Sequence, residues 1–301
     1  MDHRILPVLI VHDGKPGHRS QAEGLSFALA RLREAVCWEH NIAEKSTFPQ
    51  MDEPPKLVVS VGRHCAADAL RYAKRFGAKK VALMNPGWWK RRQFDLCVVP
   101  KHDDLMEGPR IITTDGALNA VSARPDDAPM GQGLILIGGP SAHHGWDGAR
   151  MLAQLRSVLE NSPGVSSFQA TSSRRTPPET VAALRQLALD SGTRFNFTPA
   201  DETPRGWVPR QLGQCGTCWV TEDSVSMVYE ALSAGAAVGL LEVPLAGRQP
   251  GRVARGVRAL VARGMVAAFK DWQAGQALVR HEPLREAERV AQAILEKWPE
   301  L

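Results

Sequence analysis

Thr221-Glu-Asp-Ser-Val-Ser-Met-Val-Tyr-Glu-Ala-Leu-Ser-Ala-Gly235 runs straight into Ala236-Ala-Val-Gly-Leu-Leu-Glu-Val243, and this stretch decides the fold. It predicts a strand end at 218–220, an abrupt turn, a helix, a glycine stop and a second buried strand. Asp223 and Ser224 carry the short acceptor side chains that cap a first helical turn. Val225, Val228, Ala231 and Leu232 recur at the spacing of a helix buried along one side. Gly235 stands where helices end in the left-handed conformation. In a parallel sheet such a helix starts at the carboxyl end of a strand, where its free amides and partial positive charge attract anions. Glu230 lies two turns in, placed to accept hydrogen bonds from a ribose diol. The stretch is expected to hold the phosphate and ribose of a nucleotide, with Asp223, Ser224, Ser226, Met227 and Glu230 at the ligand.

The same order repeats on either side. Upstream, a strand at 133–137 meets Gly138-Gly-Pro-Ser141, and a helix follows at 147–161. A strand at 166–171 meets Ser172-Ser-Arg-Arg-Thr-Pro177, then come a helix at 178–191 and a strand at 194–197. Helices at 252–263 and 282–297, with a strand at 265–269 between them, close the chain. Near the start, the unbroken apolar run Ile5-Leu-Pro-Val-Leu-Ile-Val11 has the character of a strand buried on both faces. His12-Asp-Gly-Lys-Pro-Gly-His18 follows, with a helix from about 20 to 34. Strands at 35–42, 57–61, 80–84, 96–100 and 110–113 and a helix at 64–75 complete this half. Alternation of this kind predicts α/β architecture with doubly wound parallel sheets. The polar, proline-rich stretch 122–132 reads as a linker. The expected organisation is two Rossmann-like domains, 1–124 and 132–280, with a final helix in 281–301 packing back on the first.

Composition narrows the classes. With 44% hydrophobic and 23% charged residues and no low-complexity tract, the chain reads as globular. No apolar run approaches the ~20 residues of a membrane span, and Met1-Asp-His-Arg4 is not the start of a secretory signal. A cytoplasmic location is expected, with peripheral association on the inner face of the membrane as a further expectation. Five cysteines (Cys37, Cys65, Cys97, Cys215, Cys218) are an odd number placed in or beside strands, which suggests buried thiols. Cys215-Gly-Thr-Cys218 has no second pair with which to bind zinc. A net charge of +5 fits an anionic partner. The charge is dispersed and no nucleic-acid motif occurs, so nucleotides and membrane surfaces outrank DNA and RNA.

Three turns in the second half offer donors to a phosphate. Gly138 and Gly139 permit close backbone approach, Ser141 and Ser172 add hydroxyls, and Arg174 and Arg175 supply guanidinium forks. In the first half Asp13, Gly14, Lys15, Gly17, His18 and Gln21 emerge at the sheet's carboxyl edge, where ligands of open α/β sheets bind. His18 suits a general base, because histidine as a residue type exchanges protons near neutral pH. A structural histidine at a helix start fits equally well. His143 and His144 suit acid–base chemistry or plain solvation. Two adjacent tryptophans, Trp88 and Trp89, precede three cations, Lys90, Arg91 and Arg92, in an irregular connection. These five residues have two readings, buried loop anchors or an interfacial patch on anionic lipid. No HExxH, paired CxxC or DxD pattern occurs, so no metal or other cofactor is expected.

Asp13-Gly-Lys-Pro-Gly-His18 with Gln21, Thr114-Asp-Gly-Ala-Leu-Asn119, Gly138-Gly-Pro-Ser141, Thr171-Ser-Ser-Arg-Arg-Thr-Pro177 and Thr221-Glu-Asp-Ser-Val-Ser-Met227 together resemble the mitochondrial fission ELM-type family. Bacterial members are often labelled nucleoside-diphosphate-sugar epimerases. The resemblance spans nearly the whole chain. It implies a fold similar to GT-B glycosyltransferases: two Rossmann-like domains facing a cleft, a donor nucleotide mainly on the second, and no required metal. A more distant similarity is to the enzyme that adds N-acetylglucosamine to make lipid II, where Gly17-His18 and Glu230 have counterparts. There the histidine is a candidate base or acceptor-site residue and the glutamate binds ribose. Glu222-Asp-Ser224 replaces that enzyme's glycine-rich donor turn.

The expected function is a metal-independent, inverting glycosyltransferase taking a nucleotide-sugar donor and a glycan or lipid-linked acceptor. His18 and Asp13 would be catalytic, and Gly14, Lys15, Gly17 and Gln21 would line the acceptor side. The alternatives are a nucleotide-sugar epimerase on the same fold and a non-catalytic membrane-associated partner protein.

Overall fold

The computed structural model describes residues 5–44, 48–125, 127–128, 131–247 and 252–301. It divides into two compact units, Met1–Ala120 with Arg285–Leu301, and Val121–Leu284. Each is built on a six-stranded sheet whose neighbouring strands all run parallel.

The first unit contains β1 (Leu6–His12), α1 (Pro16–Leu32), β2 (Ala35–Asn41), β3 (Leu57–Val61), α2 (Ala66–Phe76), β4 (Lys79–Leu83), α3 (Trp88–Arg91), β5 (Leu96–Pro100) and β6 (Ile111–Thr114). The strand order is β2-β1-β3-β4-β5-β6. β1, β3 and β5 are buried over their full length, hence their almost wholly apolar sequences, in which His12 and Ser60 are the polar exceptions. β2 lies at the edge and keeps no fully buried residue. Helix α1 opens at Pro16, four residues before the expected start. Proline suits the first helical position because its φ is already helical and no acceptor is needed for the missing N–H. His18 therefore sits in a helical turn and not in the preceding loop. α2 begins as a 3-10 turn, Arg63–Cys65. The connection 85–94, expected to be irregular, contains the one-turn helix α3.

The second unit contains β7 (Gln132–Leu136), α4 (Gly148–Asn161), β8 (Ser167–Thr171), α5 (Pro178–Ser191), β9 (Phe195–Thr198), α6 (Trp207–Leu212), β10 (Thr217–Thr221), α7 (Val225–Ala234), β11 (Ala237–Leu241), α8 (Arg252–Ala262), β12 (Ala267–Ala268) and α9 (Phe269–Gln273). The order is β12-β11-β10-β7-β8-β9. α6, α7 and α8 cover one face of the sheet and α4, α5 and α9 the other. Trp219 on β10 is fully buried against Phe269 and Trp272. Its indole lies against Gly239 of β11, where any Cβ would overlap the ring. The strand expected at 265–269 shrinks to two residues, because Phe269 turns inward as the start of α9.

The stretch read as a linker is partly fixed to the second unit. Arg124 is buried, and its amide donates to the Ala234 carbonyl at the end of α7. The chain then returns to the first unit as α10 (Glu286–Lys297), which starts four residues later than expected. Ala287, Val290, Ala291 and Ile294 of α10 pack with Ala22, Leu25 and Leu29 of α1 over the sheet. All five cysteines are free thiols, four of them buried. Burial pushes Cys65 up to about 12 and Cys97 to about 11. Among the described residues no helix is long and apolar enough to cross a membrane.

Candidate functional site

In the second unit β7, β8 and β10 are adjacent, and their carboxyl ends are tied together by side chains. The Gly138 amide donates to Thr221 Oγ1 at 2.7 Å, joining β7 to β10. The Gly139 amide donates to Asp223 Oδ2 at 3.0 Å. Arg175, in the turn after β8, donates through Nη1 to the Gly139 carbonyl at 2.6 Å and the Pro140 carbonyl at 3.0 Å. Its Nη2 donates to Asp223 Oδ2 at 2.8 Å. Thr176 Oγ1 donates to the Gly138 carbonyl, closing the ring of contacts. Both glycines are sterically required: a Cβ on Gly138 would lie within 2.5 Å of Asp223 Oδ1, and one on Gly139 would overlap the Arg175 carbonyl.

This arrangement changes two sequence-based roles. Neither Asp223 nor Ser224 caps α7: Ser224 occupies the N-cap position without a side-chain cap bond, and its Oγ donates to Asp223 Oδ2 at 3.2 Å. Asp223 is a buried strut, with Oδ1 lacking any hydrogen-bond partner among the described residues. Arg175 is exposed, but its guanidinium is committed to Gly139, Pro140 and Asp223, so Arg175 positions the turn, whereas exposed Arg174 has no carboxylate partner among the described residues. With no side-chain cap, the amides of Val225, Ser226 and Met227 keep the free donors of a helix start. Ser226 is exposed and Met227 half-buried.

Ser172 is buried and accepts from the Ala200 amide at 3.0 Å, which fixes the loop after β9. Ser141 Oγ accepts from the amides of His143 and His144 at 3.2 and 3.1 Å. His144 is buried, and burial lowers its pKa; His143 is exposed. Glu222, between β10 and β11, is raised by burial and accepts from the Val243 amide.

Glu230 is half-buried on α7 and has no hydrogen-bond partner among the described residues. Enough protein surrounds it that desolvation alone pushes its carboxyl up to about 7. A carboxyl without a partner is an unmet hydrogen-bonding capacity.

In the first unit a second constellation forms at the carboxyl edge. His18 Nδ1 meets Asp13 Oδ1 at 2.5 Å, and Lys15 Nζ meets Asp13 Oδ2 at 2.7 Å. Burial would raise the Asp13 carboxyl, but hydrogen bonds from Lys15 and His18 and the His18 charge outweigh it, and the pKa settles at about 2. Gly14 has φ 73, and a Cβ there would lie 2.7 Å from Asn41 Nδ2. Gln21 is buried, donating to the Gly17 carbonyl at 3.2 Å and contacting Met84 Sδ at 3.3 Å. Sequence reading missed Gly62 at the end of β3: it has φ 89, and a Cβ there would lie 2.8 Å from His18 Nδ1. A glycine directly after a buried strand was the available signal. Among the described residues no group of three or more His, Cys, Asp or Glu is arranged to hold a metal ion.

Trp88 and Trp89 are 49% and 74% exposed, so the reading as buried anchors is overturned. Their rings meet edge-on at 4.4 Å, and the Arg92 guanidinium lies 4.1 Å from the Trp88 ring centre. The patch reading needs a correction too, because the three cations do not face solvent equally. Arg92 is exposed, whereas Lys90 and Arg91 are half-buried. The cause is the helical turn, which rotates successive side chains by about 100° and so cannot present five consecutive residues on one surface. The backbone of the same two residues closes the turn: the Arg91 amide donates to the Gly87 carbonyl and the Lys90 carbonyl accepts from the Gln93 amide, both at 2.9 Å.

A family model described as mitochondrial fission ELM1 matches residues 16–298. No curated protein matches the chain. Among solved structures the chain is similar to MurG of Acinetobacter baumannii, with a TM-score of 0.55 and 12% identity over 96% of this chain and 99% of that one. The UDP-GlcNAc 2-epimerase of Methanocaldococcus jannaschii gives a TM-score of 0.57 and 10% identity, over 96% and 99%. Phytolacca americana UGT2, complexed with UDP-2fluoro-glucose and pterostilbene, gives 0.51 and 9%, over 96% and 89%. At these identities the likeness is one of fold, and the fold is GT-B-like.

Proposed function

The chain belongs to the mitochondrial fission ELM1 family, and from that premise we propose that it is a metal-independent, inverting glycosyltransferase using a nucleotide-activated sugar. Glu230 carries the reading. A half-buried carboxyl with no partner among the described residues, two turns into the helix that starts beside the Gly138–Gly139 turn, would accept a ribose diol. Phosphate oxygens would meet the free amides at the start of α7 and the exposed Arg174. Asp223 and Arg175 hold that turn in shape. The solved structures similar to this chain include proteins named for UDP sugars, which makes uridine the first base to test.

Asp13 and His18 supply the base. Donation of the Nδ1 proton to Asp13 leaves the lone pair on Nε2. Nε2 takes the proton of the acceptor hydroxyl as its oxygen bonds to the anomeric carbon, and the bond from that carbon to the diphosphate oxygen breaks. The electron pair leaves on the diphosphate, where the α7 amides and Arg174 stabilise the developing charge. Gly14, Lys15, Gly17 and Gln21 shape the acceptor side. The acceptor is an envelope lipid or glycan met at the inner face of the cytoplasmic membrane.

Thermal-shift screening of wild type and Glu230→Ala against nucleoside mono- and diphosphates and sugar nucleotides tests the reading. Ligand at ~100-fold its Kd adds roughly 2.7 kcal/mol, and this should appear in wild type and not in the variant. A flat response across the panel removes the reading. Consumption of the donor without any acceptor would assign the epimerase instead, and normal turnover of His18→Ala would remove His18 from the mechanism.

A further inference from the structure

The Trp88–Trp89 turn does not stand alone on its surface. A cavity of about 610 Å3 opens beside it in the first unit, lined by Lys74 of α2, Lys80 of β4, and Arg92, Phe94, Asp95 and Arg110. Asp95 is already committed. Its Oδ2 accepts the Lys80 amide at 2.9 Å and its Oδ1 lies 3.4 Å from Lys80 Nζ. Lys74, Arg92 and Arg110 are exposed and have no carboxylate partner among the described residues. The Arg92 guanidinium joins the two features, lining the cavity while lying against the Trp88 ring. Lys90 and Arg91, half-buried, do not line the cavity.

The backbone holds this arrangement outward. Gly87 has φ 93, its amide donates to Asn85 Oδ1 at 3.0 Å, and Pro86 and Phe94 are buried at the two ends of the turn. Fixed at both ends, the single helical turn between them leaves its two indoles in solvent. Isolated exposed apolar side chains need no explanation. Two adjacent tryptophans beside an open cavity and three cations without carboxylate partners do.

We propose that this cavity seats the phosphate headgroup of an anionic lipid while Trp88 and Trp89 enter the headgroup layer. Guanidinium and ammonium groups match the phosphate, and indole, apolar in body with one N–H, is the side chain that prefers that depth. A nucleic acid would call for a row of aromatic or basic positions tracking a backbone; here the cations surround one headgroup-sized cavity. The proposal stands whether or not the second unit binds a nucleotide.

Flotation of the full chain with phosphatidylcholine vesicles, with or without phosphatidylglycerol, tests it without any nucleotide. Wild type should bind anionic vesicles at least tenfold more tightly than zwitterionic ones. Arg92→Gln and Arg110→Gln should each weaken that binding about fivefold, the scale of one surface cation near an anionic bilayer. Trp88→Ala with Trp89→Ala should weaken it at least tenfold. All four side chains are exposed, so melting temperatures should stay at the wild-type value. Quenching of wild-type tryptophan fluorescence by brominated anionic lipid needs no substitution. Equal binding to both vesicle types, wild-type binding by the variants, or absence of quenching overturns the proposal.

Discussion

Replacing Glu230 by Gln should stabilise the protein, and only above a defined pH. Burial raises the Glu230 carboxyl from 4.5 to about 7. Between these values the folded protein keeps a proton that the unfolded chain has lost, so raising the pH favours unfolding across the window and no further beyond it. A shift of that size corresponds to about 3 kcal/mol at 1.36 kcal/mol per unit. Glutamine is a neutral near-isostere of the protonated acid and carries no such term. The two proteins should therefore melt together near pH 4, diverge between pH 5 and 7, and differ by about 3 kcal/mol at pH 8, roughly 6–12 °C for a domain of this size. Differential scanning fluorimetry of both proteins over pH 4–8 is sufficient, since every other titrating group is common to both. The same reasoning applies to the ligand. If the ionised carboxylate accepts the ribose hydroxyls, nucleotide affinity should rise with pH up to about 7 in wild type and stay level in the variant. A stability difference that does not change with pH would refute the argument, because it would show that Glu230 titrates like an exposed carboxylate.

Asp13 titrates in the opposite sense. Its carboxyl is lowered from 3.8 to about 2, so its contribution is present above pH 4 and lost as pH falls toward 2. Asp13→Asn should cost about 2 kcal/mol at pH 7, and urea unfolding should show that deficit closing below pH 4. Arg175→Ala leaves the fully buried Asp223 side chain without its cation. Loss of about 2–3 kcal/mol is expected, below the range for fully buried pairs because Arg175 is 43% exposed. The cost should largely disappear in an Asp223→Asn background, and a double-mutant cycle with no coupling would show the strut to be idle. Gly62→Ala places a Cβ against the His18 ring at φ 89. It should cost about 1–3 kcal/mol, because φ 89 with ψ 158 is a backbone region that essentially only glycine adopts, and shift the His18 ring resonances in NMR spectra; unchanged resonances would detach Gly62 from the dyad.

The two-sheet architecture was legible because fully buried parallel strands leave nearly continuous apolar runs, as in Leu6–His12 and Leu57–Val61, where only His12 and Ser60 are polar. The gathering of the Gly138, Arg175 and Asp223 turns was legible for a related reason: in parallel sheets every strand end that follows the same pattern lies on the same edge. What each side chain does there was not. A capping aspartate and one bridging to a glycine amide 84 residues away have the same local sequence, and only the close approach of β7 to β10 selects the second. That selection carries a functional consequence. A carboxylate at the start of α7 would repel a phosphate, yet Asp223 has one oxygen bound by Arg175 and Gly139, and its side chain is fully buried. Its charge is thereby neutralised by a cation from the neighbouring turn, and the helix start can still receive an anion. The apparent conflict between the Asp223 carboxylate and the proposed phosphate site is thus resolved by Arg175, and Arg174 is left as the cation of this turn without a carboxylate partner among the described residues.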